Sequence, residues 1–213
     1  MKLIIFLVSI FSFSVFSEEA PNHYANYKVT FKGAFNKQRH DSKMFPEDPH
    51  FSPLVVINHN ARYSLAQVGL LSTTGVKNVA EVGNSKVLIE ELKKGQRYKS
   101  VKNYKVTKGI DGEGVVSTEI KVSYRYPFIS AISMIAPSPD WFVALNNFSV
   151  IKENKFLNKV MIPLYAYDAG TDKGRYFTSA NEANSVPVPI HPLINVSGAP
   201  IMKYFGVLII EKI

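Results

Sequence analysis

The sequence predicts an all-β domain, an antiparallel β-sandwich. Segments in which apolar and polar residues alternate recur along the chain at about ten-residue spacing, and turn residues separate them. The chain has 213 residues, of which 46% are hydrophobic and 12% aromatic. A chain of this length and composition can bury the core of one domain without disulfide bonds or a structural metal. We find no internal repeat or linker that would indicate a second domain.

The clearest strand lies near the N-terminus, where Tyr27, Val29 and Phe31 alternate with polar residues. Gly33 ends this segment, and residues 54–57 form a short apolar run typical of a buried strand. Further strands are predicted over residues 118–124, 129–135, 142–151, 159–167, 190–196 and 205–210.

One short helix is predicted near residues 85–94. Ser85 can accept a hydrogen bond from the free amides at its start, and Gly95 suits the left-handed conformation that often follows a helix. Apolar residues follow the helical period on its inner face, with an exception at Glu91.

Residues 1–17 resemble a secretory signal peptide in their order of charge, apolarity and residue size. A basic start is followed by an apolar stretch over residues 3–16, and Val15 and Ser17 occupy the −3 and −1 positions of a plausible cleavage site. The stretch is shorter than the roughly 20 residues of a membrane-spanning helix. We therefore expect a secreted protein, periplasmic or extracellular, whose folded domain covers residues 24–213.

The chain is basic, with a formal net charge of +8, and it contains no cysteine. A thiol metal site is therefore excluded. Much of the basic excess falls between residues 93 and 108, on Lys93, Lys94, Arg97, Lys99, Lys102, Lys105 and Lys108. This segment is either a solvated face or a contact for an anionic glycan, lipopolysaccharide or lipid surface. No nucleic-acid-binding motif is present, and nucleic acid is not an expected partner of an exported protein.

Two loops carry the residues best suited to bind a cation. Residues 136–142 place two prolines before an aspartate and the single tryptophan, and residues 167–174 hold two aspartates in a turn with two glycines. Calcium binds six to eight oxygen ligands from carboxylates, carbonyls and water. The candidate ligands are the carboxylates of Asp140, Asp168 and Asp172 and the backbone carbonyl of Ala169. The alternative is purely structural, because aspartate is also a favoured turn residue.

Residues 137–143, followed by residues 167–174, resemble the paired signature of the spondin N-terminal (F-spondin/mindin) domain. Residues 50–53 and Pro127 agree with that family in order, and the resemblance covers roughly residues 24–196. It implies a sandwich similar to a C2 domain, in secreted or matrix proteins with adhesive roles. Some family members bind calcium at one end of the sandwich. Asp140 and Asp168 match the metal-binding aspartates.

One position departs from the family pattern. A further carboxylate ligand of the family falls on Lys121 in this sequence, and a protonated lysine cannot ligate calcium because it has no acceptor. One hypothesis is that the Lys121 ammonium replaces the cation and pairs with Asp140 and Asp168. The other is that a different strand register brings Glu119 to the site.

Catalytic signatures are absent from the sequence. It has no nucleophile elbow, no phosphate-binding loop and no zinc-ligand spacing, and His59 is interpreted as a packing residue. We therefore expect a binding module rather than an enzyme, one that recognises a protein or glycan at a cell surface or in a matrix. Two alternatives remain open: a peripheral binder of anionic lipid or lipopolysaccharide, and a carbohydrate-active enzyme that uses Asp140 and Asp168.

Overall fold

The computed structural model describes residues 23–40, 45–194 and 201–213. The predicted signal peptide, residues 1–17, lies outside these residues. Within them, neither helix combines the length and the apolar character that crossing a lipid bilayer requires.

The described residues form fourteen β-strands and two α-helices. In chain order these are β1 (Tyr24–Gly33), β2 (His50–Phe51), β3 (Val55–His59), α1 (Thr74–Val82), α2 (Lys86–Arg97), β4 (Val101–Val106), β5 (Ile110–Asp111), β6 (Val115–Ser123), β7 (Phe128–Ala136), β8 (Trp141–Ser149), β9 (Ile151–Lys152), β10 (Lys155–Phe156), β11 (Lys159–Leu164), β12 (Ala166–Asp168), β13 (His191–Pro192) and β14 (Gly206–Lys212).

Two antiparallel sheets make the predicted sandwich, which is thereby confirmed. The first sheet has four strands in the order β11-β14-β1-β6. The second has eight strands, in the order β13-β12-β8-β7-β2-β5, with β3 also beside β7 and β4 beside β3. Strands β9 and β10 pair as a separate hairpin.

The main core lies between the two sheets. Tyr27, Val29 and Phe31 of β1 point inward, as their alternation predicted, and are almost completely buried. Ile129 of β7 and Val143 of β8 meet them from the second sheet. Burying side chains of this kind is the main favourable contribution to folding.

A second core covers the outer face of the eight-stranded sheet. Val76 of α1 and Leu88 of α2 pack there with Ile132 of β7 and Phe142 of β8. Because β7 and β8 are buried on both faces, their sequences are almost continuously apolar instead of alternating.

The prediction of a single helix over residues 85–94 was wrong, because two helices are present and the second is longer. Helix α1 has clear end signals: the Thr73 hydroxyl accepts a hydrogen bond from the Val76 amide at 3.2 Å, and Gly83 adopts a left-handed φ of 65°. Helix α2 continues to Arg97, and its Ser85 makes no side-chain cap. The Asn84 side chain accepts from the Lys86 amide instead, at 3.0 Å.

Gly95 and Glu91 in α2 also differ from the sequence interpretation. Gly95 does not end the helix; it lies inside it, where a Cβ would come within 2.7 Å of Val101 Cγ2. The Glu91 carboxylate accepts from the Thr73 hydroxyl and the Gly75 amide, both at 2.8 Å. It thus stabilises the positive N-terminal end of α1, which explains an acid on the inner face of α2.

Two strands differ from the sequence prediction. Strand β4 was not predicted, because its residues fall within the basic segment. The strand expected over residues 190–196 is limited to β13 among the described residues.

Candidate metal centre

Pairing of β8 with β12 brings the two predicted loops together. Trp141, the first residue of β8, lies opposite Asp168, the last residue of β12. The loop between β7 and β8 therefore lies beside the loop after β12, and the Ala169 amide donates to the Asp140 backbone carbonyl at 3.1 Å. The structure thus unites Asp140, Asp168, Ala169 and Asp172 at one end of the second sheet, as the sequence motifs predicted.

Asp140 has one carboxylate oxygen that is bound and one that is free. Its side chain is fully buried. Oδ2 accepts hydrogen bonds from the Thr171 amide at 2.7 Å, the Thr171 hydroxyl at 3.2 Å and the Asp172 amide at 3.1 Å. Oδ1 is buried and has no hydrogen-bond partner among the described residues. A buried polar atom of this kind is costly unless something binds it.

Asp168 is the accessible member of the pair. Its Oδ1 accepts from the Gly170 amide at 2.7 Å, and His191 Nδ1 lies 3.9 Å away. Asp168 lines an open cavity of about 410 Å³, together with Trp141, Asp172, Arg175 and His191. Asp140 does not line this cavity.

Both carboxyls bind a proton more tightly than usual. Burial, followed by the negative charge of Asp168, raises the pKa of Asp140 to about 6, against the hydrogen bonds from Thr171 and Asp172. Burial also raises the pKa of Asp168, although the Gly170 amide and His191 oppose the rise. The nearby Trp141 indole N–H also favours the charged form of Asp168 and so lowers its pKa. Its geometry is not that of a hydrogen bond, and Nε1 has no acceptor among the described residues. The two aspartates thus form a buried like-charge pair.

Asp172 and Ala169, the other two predicted ligands, already have partners. Asp172 Oδ1 accepts from the Gly174 amide and Oδ2 from the Glu182 amide, each at 2.7 Å. The Ala169 carbonyl accepts from the Ser72 hydroxyl at 2.6 Å. Asp172 therefore holds its loop closed, and Ser72 joins that loop to the segment before α1. Neither role was visible in the sequence.

The two glycines of this loop serve different purposes. Gly170 has a φ of 73°, a left-handed conformation that side chains disfavour, and a Cβ there would also overlap the Val188 carbonyl. Gly174 is needed for close packing, since a Cβ there would overlap the side chain of Pro139. Pro139 thereby connects the two loops.

The donor set suits a cation only in part. The carboxylates of the buried Asp140 and the partly buried Asp168 repel each other, and a hard cation would relieve this repulsion. Across residues 23–40, 45–194 and 201–213, however, no three His, Cys, Asp or Glu side chains are grouped to hold a metal. A metal ion held here would rely on two carboxylates and complete its shell with carbonyls and water.

Comparison with known proteins decides the family. The family model described as Spondin_N matches residues 25–199, which include both loops of the site. This chain belongs to the spondin N-terminal domain family. The resemblance recognised from residues 137–143 and 167–174 is therefore confirmed.

Curated relatives of this spondin domain are longer proteins. It is 29% identical to Spondin-2 of Rattus norvegicus over 163 residues, which are 75% of this chain and 49% of that protein. It is 28% identical to Spondin-1 of Gallus gallus over 178 residues, 81% of this chain and 22% of that protein. Spondin-1 of Xenopus laevis is 30% identical over 204 residues, 89% of this chain and 25% of that protein. The chain therefore spans half or less of the relatives it matches.

The structure does not bring Lys121 to the aspartates of this spondin domain. Lys121 pairs in register with Asn26 of β1, and its ammonium lies 3.7 Å from the centroid of the Tyr24 ring. The ion-pair hypothesis does not hold for this arrangement, because β6 belongs to the other sheet. Glu119, the alternative ligand, is exposed on the same strand opposite Lys28 and is also not part of the site.

His59 has the packing role that the sequence predicted. It is fully buried, its Nε2 lies 2.8 Å from the Ser130 hydroxyl, and its ring stacks on Phe128. Burial lowers its pKa, so it is neutral at physiological pH. His59 therefore stabilises the second sheet and does not face the Asp140–Asp168 site.

Proposed function

We propose that the mature chain is an exported binding module that recognises a protein or glycan at a cell surface or in a matrix, and that Asp140 and Asp168 hold a calcium ion at one end of it. Family membership supports the binding role. The observation that carries the calcium proposal is the buried Asp140 Oδ1, which has no partner among the described residues.

The energetic argument starts from the charge on Asp140. A shift of its pKa from 3.8 to about 6 means that ionising this carboxyl in the folded protein costs roughly 3 kcal/mol more than in water. At neutral pH Asp140 is charged despite this cost. A cation between Asp140 and Asp168 would offset it, since opposite charge favours the ionised form.

Calcium is the ion that this chemistry favours. The available donors are oxygen atoms, there is no cysteine in the chain, and calcium tolerates irregular coordination. With only two carboxylate ligands we expect weak binding, with a dissociation constant of about 10⁻⁴ to 10⁻³ M, as in other extracellular modules. Asp140 and Asp168 would supply the charged ligands, and Ala169, whose amide is hydrogen-bonded to the Asp140 carbonyl, would add the second lone pair of its own carbonyl.

The burial of Asp140 argues against the carbohydrate-active alternative. A glycosidase needs two carboxyl groups that flank the scissile bond of a bound sugar. Asp140 has no exposed surface and does not line the cavity beside Asp168. A substrate in that cavity would reach Asp168 but not Asp140, and the other aspartate that lines it, Asp172, has both carboxylate oxygens bound by the Gly174 and Glu182 amides.

The binding role can be tested with the chain that lacks residues 1–17. Purified protein is applied to arrays of matrix proteins and glycans, in calcium or in a chelator, with Asp140→Asn as a matched variant. We expect saturable binding to a small set of components, reduced for the chelated protein and for the variant. Absence of binding to every component would contradict the proposal. Release of sugars from a bound glycan by the wild type but not by Asp140→Asn would favour the enzyme instead.

A further inference from the structure

A basic groove lies at the other end of β7 from the aspartate pair. It has a volume of about 630 Å³ and is formed by the turn after α2, the start of β4, the end of β6 and the start of β1. The side chains that line it include Lys99, Lys102, Lys121, Arg125, Tyr24 and Asn103. Four of these six are cationic, and no carboxylate is among the described residues that line the groove. We call these six residues the basic groove.

The cations of the basic groove are not neutralised by the protein itself. Within the part of the chain that the structure describes, none of the four forms an ion pair. Four uncompensated positive charges around one concave surface repel one another and attract an anion. Elsewhere on the surface, lysines such as Lys93 and Lys159 do have carboxylate partners, at 2.7 and 2.9 Å.

The backbone that presents these cations is held in place. Lys99 has a left-handed φ of 55°. Its carbonyl accepts hydrogen bonds from the side chains of Asn60 at 2.8 Å, Arg62 at 2.6 Å and Tyr126 at 3.3 Å. Arg125 lies in the turn between β6 and β7, which the Tyr126 amide closes onto the Ser123 carbonyl at 2.9 Å. A ligand would therefore lose little binding energy to ordering the backbone of this site.

Two neutral groups indicate what kind of anion fits. The Asn103 Nδ2 donates to the Lys121 carbonyl at 3.1 Å, which fixes the orientation of the carboxamide. Its Oδ1 is buried and has no donor among the described residues. The Tyr24 ring is 55% exposed beside the Lys121 ammonium. An unpaired acceptor calls for a hydroxyl, and an exposed aromatic ring suits the apolar face of a sugar.

We propose that the basic groove binds an acidic oligosaccharide. Lys99, Lys102, Lys121 and Arg125 pair with its carboxylate or sulfate groups, and Asn103 accepts a hydrogen bond from one of its hydroxyls. Because the four cations line one cavity and do not form a flat patch, an oligosaccharide can contact several of them at once, whereas a flat bilayer would meet only those on the rim. This site is separate from the aspartate pair, so it does not depend on the calcium proposal.

The test compares three hexasaccharides by calorimetry: a galacturonic acid hexamer, a sulfated hexamer and a neutral glucose hexamer. The protein variant is Lys121→Ala with Arg125→Ala. Its matched control is Lys32→Ala with Lys37→Ala, which removes the same charge from two exposed positions, one at the far end of β1 and one four residues beyond that end. We expect one or both acidic hexamers to bind, the neutral one not to bind, and the groove variant to lose at least about tenfold in affinity, which is 1.4 kcal/mol. The control should bind as the wild type does.

A second variant guards against loss of folding. Lys102→Glu reverses the charge of an exposed side chain of the groove, so it should also weaken binding while the thermal midpoint stays near that of the wild type. Equal binding by the groove variant and the control would overturn the proposal, as would equal binding of the neutral hexamer. Binding to phosphatidylglycerol vesicles that neither acidic hexamer displaces would overturn it in favour of a lipid surface.

Discussion

The two ends of β7 carry opposite charges, which are buried at one end and exposed to water at the other. At the Ala136 end, Asp140 is fully buried and its charge is opposed by a second carboxylate, Asp168. At the Phe128 end, four cations surround an open groove and remain in contact with water. Strand β7 has nine residues, which separates the two ends by about 26 Å.

This difference determines what each end can bind. A buried carboxylate with one free oxygen, beside a second and partly exposed carboxylate, suits a small cation, and its charge is unfavourable when no cation is bound. An exposed group of like charges costs the fold little, because water screens it, and it can receive a large flexible anion. The same sandwich therefore supports a compact cation site and an extended anion site.

The largest loss of stability should come from replacing Asp172, which lies in the same loop as Asp168 and has both carboxylate oxygens bound by backbone amides. Asp172→Ala leaves the Gly174 and Glu182 amides without acceptors. A buried unsatisfied group costs about 1–3 kcal/mol, and these two amides are only partly buried, so we expect a loss of about 3 kcal/mol in the free energy of unfolding. Chemical denaturation measures it, with Asp48→Ala at an exposed position as the control. A loss below about 1 kcal/mol would show that Asp172 does not hold the loop.

An effect of similar size should follow from the titration of Asp140 without calcium. Its folded-state pKa of about 6 lies above the unfolded value of 3.8, so the folded protein holds this proton more tightly. The stability that the proton provides is complete below about pH 4 and is lost as the pH rises to about 6, by roughly 3 kcal/mol. Asp140→Asn keeps an acceptor for the Thr171 and Asp172 amides and cannot ionise. The difference in unfolding free energy between wild type and variant should therefore grow in the variant's favour over this pH range, and a constant difference would contradict the account.

The smallest effect should be the influence of one end on the other. At physiological ionic strength charges are screened over about 8 Å, far less than the length of β7. Replacing Lys121 and Arg125 by alanine should therefore change the calcium dissociation constant by less than about twofold, under 0.5 kcal/mol. A larger change would mean that the two ends are coupled through the sheet and that the two sites do not bind independently.

Much of the fold was predictable because it depends on local pattern. The alternation of Tyr27, Val29 and Phe31 identified β1, and the order of the two loop motifs identified both the family and the pairing of Asp140 with the later loop. Helix α1 was missed although Thr73 and Gly83 mark its ends, because Gly75 and several β-branched residues weaken its helical pattern. Strand β4 was missed because lysines interrupt its apolar residues.

The roles of individual site residues depended on contacts that no local pattern contains. Asp168 and Asp172 are both aspartates near the same loop. The carboxylate of Asp172 accepts a hydrogen bond from the amide of Glu182, ten residues away, whereas Asp168 lines a cavity. Lys121 was expected beside the aspartates because a sequence match does not report which sheet a strand joins. Its position in the basic groove follows from the register of β6 with β1, which only the folded structure gives.

Calorimetric titration of calcium into the wild type and Asp140→Asn, at pH 7.5, tests the central claim most directly. The account predicts one site in the wild type, with a dissociation constant of about 10⁻⁴ to 10⁻³ M, and no binding heat for the variant. At ten times the dissociation constant, calcium should also raise the unfolding free energy of the wild type by about 1.4 kcal/mol. Absence of heat in the wild type at millimolar calcium, or an equal heat in Asp140→Asn, would contradict it.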